Sequence, residues 1–327
     1  MEILPLTRDH YPQAAELFVR KLKRLRQSIP ELPDSLEDID AVAEQFGRFP
    51  PSTPAYVAMQ DGRMLGYLAG FVFGNMRGTG RTGAFVPEWG HAALEDEPAV
   101  YRQLYSAISG SWAAAGASMH GIALLANDLA ALRAWFWNGF GLTVVDGIRS
   151  TGPIGAVPPA GWELRPAEKA DADAISRMDA EHCRHYSQAP LFMAPRQADD
   201  AETVRRFIGR QPNRYWLAFH GGELGGLLRC EPRSEGAAEI VVSPKTIAVD
   251  GAFVRPQFRG QGVASALLEA ALRDYAAQGF TRCSVDFESF NPQAAALWPR
   301  YFHPVTYSAI RVLEWLQPNP AEDNSSR

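Results

Sequence analysis

The chain resembles itself at an offset of about half its length, and that repeat constrains the fold more than any local motif. A strand–turn–strand pattern, TPAYVAMQDGRMLGYLAG from Thr53 with Asp61-Gly62 at its turn, recurs as NRYWLAFHGGELGGLL from Asn213 with Gly221-Gly222 at its turn. The tetrapeptide GAFV stands at Gly83 to Val86 and again at Gly251 to Val254. Ile3-Leu4-Pro5 opens the first half as Leu164-Arg165-Pro166 opens the second, and Ile148-Arg149 and Ile310-Arg311 close them. Four landmarks in the same order predict a duplicated domain, and 327 residues are enough for two cores. Between the copies, RSTGPIGAVPPAGW is rich in residues that break helices and strands. The expected organisation is a domain over 1–150, a linker over 151–161, a second domain over 162–317 and a polar, flexible tail over 318–327.

Each half reads as a strand, one or two helices, a hairpin, a further strand, a helix, a strand, a helix and a last strand. That order predicts an α/β (α+β) fold in which each copy has a mixed, mostly antiparallel central sheet flanked by helices. In the second half Val263, Ala264, Leu267, Leu268, Ala271, Leu272 and Tyr275 form the apolar stripe of a helix, and Gly279 ends it. The strand RCSVDFES follows, with Cys283, Val285 and Phe287 alternating with Ser284, Asp286 and Glu288.

Charge and cysteine usage narrow the function. A net charge of −5 gives no domain-wide basic footprint for nucleic acid. The N-terminal residues lack a signal-peptide pattern and no apolar run is long enough to span a membrane, so a cytoplasmic protein is expected. Cys183, Cys230 and Cys283 suggest neither a disulfide framework nor a zinc knuckle. His182, Cys183 and His185 have no further ligand pair at useful spacing; no metal is expected, and these residues read as a helical wall near the acceptor. The basic run Arg20, Lys21, Lys23, Arg24 and Arg26 reads as the solvated face of a helix whose inner face is Leu17, Phe18, Leu22, Leu25 and Ile29.

The strongest chemical signal is VRPQFRGQGVASALL, Val254 to Leu268. Glycines just before an amphipathic helix let backbone N–H groups close on an anion where the helix end adds partial positive charge, a site for phosphate or pyrophosphate. A P-loop fails because no GK[ST] follows. A dinucleotide fingerprint is closer, as GxGxxS, but RPQFR separates the strand from the first glycine. RGQGVA, Arg259 to Ala264, resembles the RxxGxG/A loop of the GNAT superfamily of acyl-CoA-dependent N-acetyltransferases, and the likeness extends over about Trp162 to Trp315, through VDFES and NPQAAALW.

That resemblance implies acetyl-CoA as co-substrate and a primary amine of a small molecule, or of a protein, as acceptor. It assigns Arg259, Gly260, Gln261, Gly262, Val263, Ala264 and Ser265 to the CoA pyrophosphate, and Phe253 and Val254 to the pantetheine arm. Asn291 matches an asparagine that approaches the cofactor, although as a residue it is equally a helix N-cap ahead of Pro292. The reaction needs a base for the ammonium proton, a donor for the oxyanion and an acid for the thiolate. Asp250, read as sharing a face with Ala252 and Val254, is the first choice of base, with Glu288 as rival. The Val254 N–H is the expected oxyanion donor. Where the superfamily commonly has a tyrosine acid, seven residues after the asparagine, Trp298 stands here, and Tyr301 is the substitute. A non-catalytic CoA-sensing module and a dinucleotide-binding oxidoreductase are the alternatives, and a homodimer is compatible with the sequence.

The first copy lacks this chemistry. After its GAFV comes PEWGHAALEDEP, without the arginine or the paired glycines and with Glu95, Asp96 and Glu97 where an anion would sit; Thr82 replaces the Asp250 carboxylate. Asn127 and LRAWFWNGFG keep the later part of the pattern. This copy is expected to be structural and to help form an acceptor cleft at the domain interface.

Overall fold

A computed structural model describes residues 1–50, 53–94 and 99–314. The acidic Glu95, Asp96 and Glu97, and the tail over 318–327, lie outside the described residues. The chain divides into two compact units, one of Met1–Val145, Ala238–Ile240 and the chain from Val305, the other of Asp146–Ala237 and Val241–Pro304.

In chain order the first half contains β1 (Glu2–Pro5), α1 (Tyr11–Ser28), α2 (Ile39–Gln45), β2 (Ala55–Gln60), β3 (Arg63–Ala69), β4 (Phe71–Phe73), β5 (Gly83–Val86), β6 (His91–Ala93), α3 (Ala99–Ala114), β7 (Met119–Leu125), α4 (Leu129–Trp137) and β8 (Gly141–Ser150). The second half repeats the order with β9 (Trp162–Pro166), α5 (Ala172–Ser187), α6 (Ala201–Ile208), β10 (Arg214–His220), β11 (Glu223–Glu231), β12 (Thr246–Val254), α7 (Val263–Ala277), β13 (Arg282–Glu288), α8 (Pro292–Leu297) and β14 (His303–Val312). The expected single central sheet in each copy fails for unit 1, where β1-β2-β3-β6 form an antiparallel sheet of their own and β4-β5-β7-β14 belong to another, parallel only between β5 and β7.

The two hairpins turn where the dipeptides predict. Asp61 and Gly62 have φ of 50° and 76°, and Gly221 and Gly222 have φ of 58° and 80°, the paired left-handed conformation that suits the right-handed twist of the flanking strands. In unit 2 the order β13-β12-β11-β10-β9 is antiparallel except between β12 and β13. Alternate residues of β11 face opposite layers. Leu227 joins Ile175 and Met178 of α5 and Val204 and Phe207 of α6 in one core, whereas a Cβ on Gly226 would stand 3.4 Å from Val263 of α7.

The last strands of the two halves change places. β14 pairs antiparallel with β7, from Thr306↔Leu125 to Val312↔Met119, and belongs to unit 1 from Val305 onward, while β8 passes into unit 2 at Asp146 and neighbours β13. The expected boundary over 151–161 therefore differs from the division of the molecule. An apolar strand pattern specifies a buried position, not which neighbour fills it. The segment after β8 is pinned: the N–H groups of Ile154 and Gly155 donate to Glu269 Oε2 at 2.7 and 3.0 Å.

Lys21 departs from the solvated face read for α1. It is buried, and its Nζ lies 2.7 Å from Asp128 Oδ2, the side chain whose other oxygen caps α4 through Ala131 N–H.

Candidate active site

β12 and β13 form four parallel rungs, from Thr246↔Arg282 to Val249↔Val285, and then part. On its other edge β12 stays laddered to β11 as far as Val254↔Gly226. The inner backbone edge of 250–254 consequently faces a cavity of about 1020 Å³, every lining residue of which belongs to unit 2. Unit 1 differs at the matching place. Its GAFV strand, β5, is laddered to β7 along its whole length, from Gly83↔Met119 to Val86↔Ile122, and no such edge opens there.

A β-bulge aims the first carboxylate. Arg229 faces Gly251 and Cys230 faces Val249, so Asp250 is an extra residue in β12. The bulge resets the alternation and corrects the face read from the sequence. Asp250 lies with Arg229 and Gly251, its Oδ2 3.3 Å from Arg229 Nε, whereas Val254 points to the opposite layer, its Cγ2 3.1 Å from where a Cβ on Gly226 would stand. Arg229 also meets Glu231 at 2.9 Å and Asp199 at 3.4 Å, with its guanidinium 4.3 Å from the Phe207 ring centroid. Burial, and then the hydrogen bond shared with Asp250, push the Glu231 carboxyl up to about 7. Asp286, bonded by Ser234, is pushed up to about 6, chiefly by burial and then by the charges of Asp250 and Glu288. Glu288 lines the same cavity. Arg229, Glu231 and Asp199 escaped the sequence reading because each is an ordinary polar residue until the strands are paired.

The glycine loop closes the other end. Gly260 and Gly262 have φ of +76° and +86°, and a Cβ on either would point into open space, so backbone conformation and not crowding requires glycine. Gly262 caps α7 and Ala266 N–H donates to its carbonyl, so the N–H groups of Val263, Ala264 and Ser265 have no acceptor within the helix. Arg259 folds back, its Nε donating to the Val254 carbonyl at 2.9 Å and its guanidinium 5.6 Å from the Phe253 ring centroid. Phe253, Val254, Arg259, Gly260 and Gly262 to Ser265 all line the cavity; Gln261 does not, and its amide reaches the Gln257 carbonyl at 3.4 Å. Helix-end amides beside a guanidinium are a donor set that fits the CoA pyrophosphate.

Asn291 holds the structural role its sequence context allows. Its Oδ1 accepts from Gln293 and Ala294 N–H at 3.1 and 3.4 Å, and its side chain also hydrogen-bonds Tyr186. Tyr186, on α5, lines the cavity, and burial followed by the charges of Glu288 and Asp286 pushes its hydroxyl up to about 12. Nothing in its local sequence marks it. The Tyr301 hydroxyl donates to Ser265 Oγ at 3.0 Å, at the start of α7, and Tyr301 is not among the lining residues. Trp298 is buried at 4% exposure. His182 and His185 lie 5.2 and 6.1 Å from the Phe253 ring, and burial holds His182 down at about 4. No metal-binding cluster occurs among the described residues.

The profile of the family described as "Acetyltransferase (GNAT) family" matches residues 180–303, the stretch that holds the parted strands, the bulge and the loop. This segment matches the GNAT acetyltransferase family. A GCN5-related N-acetyltransferase from Sphaerobacter thermophilus shares the fold over 97% of this chain and 96% of its own, with TM-score 0.59 at 13% identity. A GCN5-related glucosamine N-acetyltransferase region of a fungal multi-domain GH3 beta-N-acetylglucosaminidase covers 94% of this chain and 38% of its own, with TM-score 0.53 at 11% identity. A tandem GNAT protein from the clavulanic acid biosynthesis pathway covers 97% and 99%, with TM-score 0.49 at 16% identity. No curated protein is recognisably similar in sequence. The matched segment has the fold of these acetyltransferases.

Proposed function

We propose that unit 2 transfers an acetyl group from acetyl-CoA directly to a primary amine, and that unit 1 is a structural copy. The observation that carries this reading is the parting of β12 and β13 after Val249↔Val285, which leaves a backbone edge leading straight into the loop of Gly260 and Gly262. An extended pantetheine arm adds to such an edge as a strand would, through the main-chain groups of 252–254. The pyrophosphate then meets the amides of Gly262 to Ser265 and the Arg259 charge. The closed β5–β7 ladder supports the assignment of unit 1 as the copy without this function.

The remaining groups suit amine acylation. A carboxylate of the Asp250 cluster takes one proton from the ammonium, the neutral amine forms the C–N bond as the C–S bond breaks, and the nitrogen then gives its second proton to the departing sulfur. The Val254 N–H is our candidate donor to the oxyanion. CoA leaves as a thiolate, whose pKa is low enough that no acid is obligatory; Tyr301 bonds Ser265 and does not itself line the cavity. The test is acetyl-CoA binding by thermal shift, with NAD as control. A ligand at 100 times its Kd stabilises by about 2.7 kcal/mol, a shift of several degrees, and no shift with acetyl-CoA refutes the reading.

A further inference from the structure

The chain between β11 and β12 leaves unit 2 and returns to it. Glu231, Arg233 and Glu235 line the cavity, Ala238–Ile240 belong to unit 1, and Val241 is in unit 2 again. The cavity wall and the excursion follow one another within a few residues. Ser234 is buried and bonds the Asp286 carboxyl, and a Cβ on Gly236 would stand 3.6 Å from Asp286 Oδ2. Ala237 N–H donates to the Ser234 carbonyl at 3.3 Å, closing a turn that leads directly into Ala238.

Unit 1 grips those three residues at two points. Glu88 is buried, its Oε1 accepts from Ile240 N–H at 3.0 Å, and the Glu239 N–H also bonds the carboxyl. Arg48 Nη1 lies 2.7 and 2.9 Å from the two carboxylate oxygens of Glu239. The same guanidinium sits 5.4 Å from the ring centroid of Trp89, which is fully buried and whose carbonyl accepts from the Tyr67 hydroxyl at 2.7 Å. Glu88 and Trp89 are the second and third residues after the GAFV of unit 1, the stretch that in unit 2 leads from GAFV toward Gly260. Where unit 2 presents a loop to an anion, unit 1 holds a piece of polypeptide.

Ile240 is buried, so its N–H without the Glu88 acceptor would bear the full cost of desolvation. Only five residues run from Glu235 to Ile240, and a span so short, fixed at both ends, has little conformational freedom left.

We propose that unit 1 anchors the cavity wall: Glu88 and Arg48 are positioning residues that hold 238–240 and thereby set Arg233 to Gly236 against Asp286, at the end of the cavity where the amine is acylated. The use made of the wall rests on the acetyl-transfer reading above; the anchoring does not.

Hydrogen exchange of the full chain, read by mass spectrometry, tests the anchor. Glu88→Leu and Arg48→Gln should speed exchange over 232–241 about fivefold or more and leave 254–268 unchanged. Arg48→Gln breaks a half-exposed bridge and serves alone if Glu88→Leu does not fold. Glu88→Gln keeps the acceptor and should exchange as the parent does. In CoA thiol release, the KM for n-butylamine should rise about threefold or more in Glu88→Leu and Arg48→Gln but not in Glu88→Gln, with the Kd for acetyl-CoA within about twofold throughout. Unchanged exchange over 232–241 in the first two variants, exchange in Glu88→Gln as fast as in Glu88→Leu, or a change in acetyl-CoA affinity equal to that in amine KM overturns the proposal. If n-butylamine is not turned over, the exchange result decides alone. Absence of acetyl-CoA binding by the parent would instead remove the acetyl-transfer reading and leave the exchange test of the anchor standing.

Discussion

Trp135 and Trp298 occupy the same place in the two units, each seven residues after the side chain that caps its helix, Asp128 in one and Asn291 in the other, and each almost fully buried. The indole in the position of the expected acid is thus buried in both copies, and in unit 2 Trp298 also forms part of the cavity wall. Trp298→Tyr should not raise kcat, and should destabilise the protein by about 1–3 kcal/mol through lost packing. A rate gain in steady-state assays would show that the position does chemical work.

Gly262→Asp tests the anion cradle with little steric confusion. A Cβ there meets no atom within 4 Å, so the cost to folding is that of a φ of +86°, about 1–2 kcal/mol. The new carboxylate faces the amides assigned to pyrophosphate. The Kd for acetyl-CoA should rise by about tenfold or more, and unchanged binding by titration would show that the loop assignment is wrong.

Asp250→Asn keeps the shape of the bulge and removes the base. The expected outcome is a fall in kcat of about 10² to 10⁴ with the KM for acetyl-CoA within about threefold. Normal turnover would transfer the role to another carboxylate on the same cavity, with Glu288 the first alternative.

Glu88 links the stability of unit 1 to pH. It is buried, accepts from Ile240 N–H at 3.0 Å, and is pushed from 4.5 up to about 7, chiefly by burial. With the folded value above the unfolded one, the folded protein keeps a proton that the unfolded chain gives up, so stability is fully present below about pH 4.5 and declines as pH rises toward 7. Glu88→Gln keeps the acceptor and has no charge to bury. Its melting temperature should match the parent near pH 4 and exceed it at pH 8, by the equivalent of about 2–3 kcal/mol. Equal melting temperatures at pH 8 would contradict this.

The buried pair Lys21–Asp128 makes an asymmetric prediction. Lys21→Met leaves a buried carboxylate without its partner and should cost about 3–5 kcal/mol in denaturant unfolding, whereas Lys21→Met with Asp128→Asn, which preserves the cap, should recover much of that loss. Equal losses in the two variants would mean that the ion pair is not what matters there.

The sequence disclosed the repeated elements because their signals are local. Asp61-Gly62 and Gly221-Gly222 specify their turns, and the stripe from Val263 to Tyr275 specifies a helix, without reference to any distant residue. The burial of Lys21 is not legible in the sequence, because a long side chain on the boundary of a helix face turns inward once Asp128 is supplied from another element. The face of Asp250 is not legible either, because a single extra residue in a strand inverts the alternation, and only the pairing of Arg229 with Gly251 and of Cys230 with Val249 reveals it. The glycine loop was visible as a contiguous motif. Tyr186, Glu231 and Arg229 were not, since the cavity gathers them from separate elements.

The exchange of β8 and β14 sets an order of events during synthesis. The β7 edge of the first-made half waits for Thr306 to Val312, which leave the ribosome only after nearly every other described residue. Until then that half carries a bare sheet edge, an aggregation hazard that a chaperone or a transient partner strand would have to cover. Expressing residues 1–150 alone would make the same hazard permanent, so separating the two halves at the linker should yield insoluble fragments even though each contains most of a domain.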